Sequence, residues 1–131
     1  ILSIDLKKMD EIKKVSFLQG DFLKDKAKIQ ISEFFKGNLD VILSDMAADT
    51  TGNKSLDCIR TNQLCSEVIE FSHKNLKKNG VLISKLFMGE DFLQVKELAK
   101  SRFYKVQFFK PEASRNESKE TYLHCAILKT L

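Results

Sequence analysis

The chain has 131 residues, of which 43% are hydrophobic and 31% charged, with one Pro, five Gly and a formal net charge of +4. The length fits a single domain, 1–131, the apolar fraction can supply a core, and so little Pro and Gly leaves no low-complexity segment or linker. No apolar run approaches the roughly 20 residues of a membrane span and no secretory leader is visible, so a cytoplasmic protein is expected, although residue 1 is Ile and the chain begins inside an apolar run.

The small positive balance biases the chain towards anionic partners without proving one. Cys58, Cys65 and Cys125 show no C-x-x-C spacing. Three unpatterned cysteines point to reduced, buried thiols and away from a disulfide framework or a zinc site.

Residues 1–5 (ILSID) read as the end of a strand that finishes in an acid, Asp5. A polar connection, 7–14, leads to a second short strand, Val15 to Leu18, and then to Gly20-Asp21-Phe22. Ala27, Ile31, Phe34 and Phe35 lie at helical spacing within 23–36, and Gly37-Asn38 stops that helix. Val41-Ile42-Leu43 is a short aliphatic run of the kind buried on both faces. It stops at Ser44-Asp45 and opens into a loop, which puts the Asp45 carboxylate where open α/β sheets bind ligands.

Residues 58–78 read as a long amphipathic helix, with Cys58, Cys65, Val68, Ile69, Ser72 and Leu76 on one face and Asn79-Gly80 as its stop. Val81 to Phe87 (VLISKLF) is an apolar strand that contains Lys85. A further helix over 90–102 has Phe92, Leu93, Val95, Leu98 and Ala99 as its apolar set. Strands at 104–109 and 121–128 flank a polar loop holding the only Pro.

Strands alternating with helices imply a Rossmann-like α/β fold, a mainly parallel sheet covered by helices. The last two strands have no helix between them and are expected to pair antiparallel.

Three charges stand out. Lysine is rarely buried without a partner or a purpose, and a lysine taken out of water can serve as a base; the bland alternative is a strand-end Lys85 snorkelling to solvent. Asp45 ends one strand, Lys85 lies near the end of its neighbour, and Glu120 opens a strand running the other way, so all three fall on one rim. His73 and His124 lack ligand spacing and read as structural, and most lysines form a solvated face.

SDMA (44–47), SKLFMGEDF (84–92) and KPEASRNESKETY (110–122) resemble the FtsJ/RrmJ family of S-adenosylmethionine-dependent RNA ribose 2′-O-methyltransferases, most nearly its bacterial members acting on large-subunit ribosomal RNA. The resemblance covers essentially the whole chain and rests on three motifs in order. It implies 2′-O-methylation of a uridine ribose in large-subunit ribosomal RNA; the alternatives are a tRNA substrate or a catalytically inactive fragment or binding module.

Three members of the family's Lys-Asp-Lys-Glu tetrad match Asp45, Lys85 and Glu120. The resemblance implies that Lys85 orients or deprotonates the ribose hydroxyl while Asp45 and Glu120 hold it in line. It further implies that Asp5, Asp21 and Asp45 bind S-adenosyl-L-methionine and that Phe22 packs near its adenine or belongs to the core, with no metal involved; Arg115 and Lys119 flank the expected site in the sequence and are the candidates for touching RNA. The complete protein is expected to be a monomer with no membrane partner. The family loop commonly reads SDMAPN, and here it is Ser-Asp-Met-Ala-Ala-Asp. The family's first strand, glycine-rich cofactor loop and first tetrad Lys precede the position of Asp5, so the chain is expected to be an N-terminally truncated, incomplete methyltransferase domain.

Overall fold

The computed structural model describes residues 1–36, 38–113 and 119–130. They form two compact units, 1–37 and 38–131.

In the first unit, β1 (Leu2–Asp5) and β2 (Ser16–Gln19) pair in parallel, Leu2 opposite Ser16 and Asp5 opposite Gln19. Helix α1 (Asp25–Phe35) follows, with Ala27 and Ile31 buried and Phe34 half exposed. Its C-cap is Lys36, in the left-handed region at φ 55° with its N–H on Ser32 and Glu33 carbonyls. The expected stop at Gly37-Asn38 therefore begins one residue earlier; Gly37 itself lies outside the described residues.

The second unit contains β3 (Leu39–Ser44), α2 (Lys54–Asn75), β4 (Leu76–Phe87), α3 (Phe92–Arg102), β5 (Phe103–Phe109) and β6 (Glu120–Leu128). Its sheet has the order β3-β4-β6-β5. β3 and β4 run parallel, and β6 is antiparallel to both of its neighbours, as the helix-free connection before it implies. The fold is α/β and Rossmann-like, with its parallel strands divided between two sheets.

Helix α2 starts a turn earlier than its apolar pattern indicates, because Asn53 caps it: Leu56 N–H donates to Asn53 Oδ1 at 3.2 Å. It also ends earlier, at Asn75, and Leu76 already belongs to β4. Asn79-Gly80 thus lies within β4. Leu39 pairs with Leu76 but Val41 with Val81, so β4 bows out between them. A Cβ on Gly80 would lie 2.8 Å from Leu76 Cδ2 and 2.9 Å from Lys77 O, so this tight path needs glycine.

The core is formed by Cys65, Val68, Ile69 and Phe71 of α2, Leu82 and Leu86 of β4, Val95 and Ala99 of α3, and Leu123 and Cys125 of β6. Two expectations fail in part. Leu93 is two-thirds exposed, because α3 turns Val95 and Ala99 inward and Leu93 away. Val41 and Leu43 are 54% and 72% exposed, not buried on both faces, because those alternate residues share one face of β3 and that face is left open to solvent. The three cysteines are unpaired, with Cys65 and Cys125 buried. No helix among the described residues is long and apolar enough to cross a membrane.

Candidate active site

Pairing of the strands brings three distant charges together. Lys85 sits on β4 directly opposite Tyr122 of β6, and Phe87 opposite Glu120. Ser44 pairs with Ser84, so Asp45 leaves β3 beside Lys85. Lys85 Nζ lies 3.1 Å from Asp45 Oδ1 and 3.7 Å from Glu120 Oε2. The lysine side chain is 14% exposed, Glu120 28% and Asp45 72%. The cation is thus held at the inner end of a site whose open side is the Asp45 carboxylate.

Tyr122, which the sequence reading did not single out, completes the cluster. Its hydroxyl donates to Asp45 Oδ1 at 2.7 Å and lies 3.4 Å from Glu120 Oε1. The signal was present: Tyr122 follows Glu120 by two residues, and strand residues two apart share a face.

Partial burial pushes the Asp45 carboxyl up. Hydrogen bonds from Tyr122 and Lys85, with the Lys85 charge, outweigh that and hold it below its usual value. The Tyr122 phenol is pushed well above its ordinary value, chiefly by its bond to Asp45, then by burial and the two negative charges. At neutral pH the cluster therefore contains an ionised Asp45 and a phenol that remains a donor.

The loops around the cluster are tied down. The Ala48 N–H donates to Thr61 Oγ1 at 3.1 Å. Lys110 Nζ donates to the Glu120 carbonyl at 3.0 Å, and Met88 N–H to the Lys119 carbonyl at 2.9 Å. A cavity of about 680 Å³ opens beside β5, lined by Lys96, Lys100, Gln107, Phe109 and His124 among others, and none of Asp45, Lys85 and Glu120 lines it.

The remaining candidates fall elsewhere. Asp5 ends β1 exposed, and its Oδ1 accepts the Lys7 N–H at 2.9 Å. Asp21 Oδ1 accepts the Leu23 N–H at 3.0 Å. Phe22 is a buried residue of the first unit, with Lys28 Nζ 5.4 Å from its ring centroid. Lys119 is described only at the start of β6's approach, and Arg115 lies outside the described residues. His73 takes a structural part, its Nε2 2.8 Å from the Lys129 carbonyl. Among the described residues no group of three or more His, Cys, Asp or Glu is placed to hold a metal ion.

The family model for FtsJ-like methyltransferases matches residues 1–128. The chain is 43% identical over 129 residues to the ribosomal RNA large subunit methyltransferase E of Pelagibacter ubique, covering 98% of this chain and 64% of that protein. It is 42% identical over 123 residues to the protein of the same name from Rickettsia akari, covering 94% and 54%. The chain thus spans between half and two-thirds of the length of these curated relatives. Among solved structures, a ribosomal RNA methyltransferase from Plasmodium falciparum superposes with a TM-score of 0.83 at 30% identity, covering 98% of this chain and 71% of that one. Human methyltransferase-like protein 13, solved with S-adenosylhomocysteine, shares the fold at a TM-score of 0.61 and 17% identity, covering 91% and 52%. Matched from its first strand to its last, the chain belongs to the FtsJ-like methyltransferase family.

Proposed function

We propose that this chain is part of an enzyme that transfers a methyl group from S-adenosyl-L-methionine to the 2′-hydroxyl of a uridine ribose in large-subunit ribosomal RNA, in the cytoplasm. One observation carries the reading: a lysine only 14% exposed, held between two carboxylates at 3.1 and 3.7 Å on the rim of an α/β sheet. The names of the relatives support ribosomal RNA as the substrate. Because the family model runs through both compact units, we treat 1–131 as belonging to one methyltransferase domain.

A ribose hydroxyl is a poor nucleophile until its proton has somewhere to go. Lys85 is the group that orients this hydroxyl, and it receives the proton as the neutral amine, having first given its own proton to solvent. Asp45 and Glu120 fix the direction of Lys85 Nζ, and Tyr122 fixes Asp45. Holding the hydroxyl in line with the methyl group supplies much of the rate in such a displacement.

The donor's sulfonium supplies an electrophilic methyl when it is bound. Asp5 and Asp21 are assigned to the rest of that molecule on the family resemblance. Asp5 and Asp21 each use one carboxylate oxygen on a nearby backbone N–H, and each has a second oxygen to accept from a ribose hydroxyl or an adenine amino group. Asp45, negative and open, can also accept from the ammonium of the methionine end. Arg115 and Lys119 are proposed to meet RNA phosphates.

The test is methylation by the full-length protein. Large ribosomal subunits or their RNA, taken from cells lacking the enzyme, are incubated with labelled donor, digested and resolved as nucleosides. Label in 2′-O-methyluridine is the expected result. Label in a base, or only in transfer RNA, contradicts the assignment.

A further inference from the structure

β3 ends at Ser44, opposite Ser84, whereas β4 runs on to Phe87. The last three residues of β4, Lys85 among them, pair with Tyr122, Thr121 and Glu120 on the β6 side, while on the other side the ladder with β3 has stopped. Backbone groups left in this way need other partners. For Phe87 the partner is a side chain of α2. The Phe87 N–H donates to Asn62 Oδ1 at 2.7 Å, and Asn62 Nδ2 donates to the Phe87 carbonyl at 2.9 Å. The two bonds are those that facing residues exchange in an antiparallel ladder, so the amide stands where another strand would be.

Asn62 is fully buried, at 0% exposed. Its third bond, Nδ2 to Asp91 Oδ1 at 2.8 Å, ties in the residue that precedes α3. Both amide hydrogens and the carbonyl oxygen are thus in use. The residue before it, Thr61, is 1% exposed and accepts the Ala48 N–H, three residues beyond Asp45. Two consecutive residues of α2 therefore grip the two segments that carry Asp45 and Lys85.

We propose that Asn62 is a positioning residue for Lys85, and Thr61 for the segment leading from Asp45. The inference rests on the methyl-transfer reading only for what Lys85 does once positioned. Phe87 and Lys85 are two apart in one strand and share a face. Fixing both backbone groups of Phe87 fixes the roll of the strand end, and with it the direction in which Lys85 leaves the sheet. A strand end held only by β6 can pivot about that single ladder and carry Nζ out from between Asp45 and Glu120.

The experiment uses the full-length protein and four variants. Asn62→Asp keeps the size and the acceptor for Phe87 N–H but removes both donors. Asn62→Leu removes all three bonds. Thr61→Val removes the acceptor for Ala48, and Asp91→Ala removes only the third bond of Asn62. Thermal unfolding reports the fold, the NMR titration of the Lys85 side-chain methylene next to Nζ reports its surroundings, and single-turnover transfer is compared with cofactor affinity.

In folded Asn62 variants the Lys85 resonance is expected to move. The rate constant is expected to fall by about tenfold or more, with cofactor Kd unchanged within about twofold. Thr61→Val should lower the rate while leaving the Lys85 resonance near its original position. A folded Asn62 variant with a lowered unfolding temperature but an unchanged Lys85 titration and rate overturns the proposal. If neither Asn62 variant folds, a further variant, Asn62→Ser, whose side chain is too short to bridge both backbone groups of Phe87, decides: a moved Lys85 resonance supports it and an unmoved one overturns it. If the unaltered protein transfers no methyl to RNA, the methyl-transfer reading has failed, and the Lys85 resonance alone decides the positioning.

Discussion

The Tyr122 hydroxyl donates to Asp45 Oδ1 at 2.7 Å, joining the end of β3 to a strand 77 residues later in the chain. Asp45 is thereby held from two sides, by a phenol and by the Lys85 ammonium. Removing the phenol leaves the ion pair in place. Tyr122→Phe is expected to raise the Asp45 pKa, since a hydrogen bond to the charged form is lost, and to lower methyl transfer by only a few-fold. Carboxyl-carbon NMR titration of Asp45 in both proteins checks the first part; an unchanged or lower value contradicts it.

The same pair sets a pH dependence. Asp45 has a folded-state value below its unfolded one. The stability it contributes is therefore complete above the ordinary carboxylate value, about 3.9, and is lost as pH falls through the lower folded value. Unfolding midpoints in denaturant should show a smaller acid loss below about pH 4 for Asp45→Asn than for the unaltered chain, and no difference in slope between pH 6 and 8. A gap whose size changes across neutrality would point to another group.

Lys85→Ala is expected to lower single-turnover transfer by roughly a hundredfold or more, the scale of a lost positioned proton acceptor. Cofactor affinity should change little. Near-normal rates in this variant remove Lys85 from the reaction.

Gly80→Ala is expected to destabilise the chain by about 1–3 kcal/mol, the usual range for forcing extra atoms into packed space. The added methyl meets the Leu76 side chain and the Lys77 carbonyl, and the carbonyl belongs to backbone that cannot swing aside. Denaturant unfolding with the midpoint and slope both fitted checks this. A neutral result means that the bowed segment of β4 relaxes freely.

β3 presents Val41 and Leu43 on an edge strand, and exposed apolar edges pair with other chains. Residues 1–131 expressed alone are expected to self-associate through this edge, and Leu43→Lys to reduce the effect. Size-exclusion chromatography with light scattering across a concentration series distinguishes the cases. A stable monomer at every concentration refutes the prediction.

Much of this molecule is legible in its sequence because its periodicities are undisguised. Lys85 stands out since its neighbours Val81 to Phe87 leave no polar face for it, and Asp45 ends one strand while Glu120 opens another, with directions that follow from the helix between β3 and β4 and from the lack of one between β5 and β6. Tyr122 does not stand out, because an aromatic in a strand looks like core until the β4–β6 register places its hydroxyl against Asp45. Asn62 is hidden for the opposite reason: one amide between Thr61 and Gln63 looks like helix surface, and only burial reveals that it serves Phe87. Asn79-Gly80 carries the signature of a helix stop, yet the glycine is there for a close approach within β4. The exposure of Leu93 and Leu43 depends on which elements cover them, which composition does not encode.

The order of the sheet sets a schedule for building the site. β6 is the last of the described strands in chain order, yet it lies between β4 and β5. As the polypeptide leaves the ribosome, β4 emerges with Lys85 long before its central neighbour exists. β5 then follows and can pack on α3 through Phe92 and Phe108, but it has no strand neighbour until β6 is made. Pairings over such separations form slowly, so Lys85 meets Glu120 and Tyr122 only in the closing step. A nascent chain halted before Glu120 holds the lysine but neither of these partners, so the charge cluster is complete only once β6 has been made.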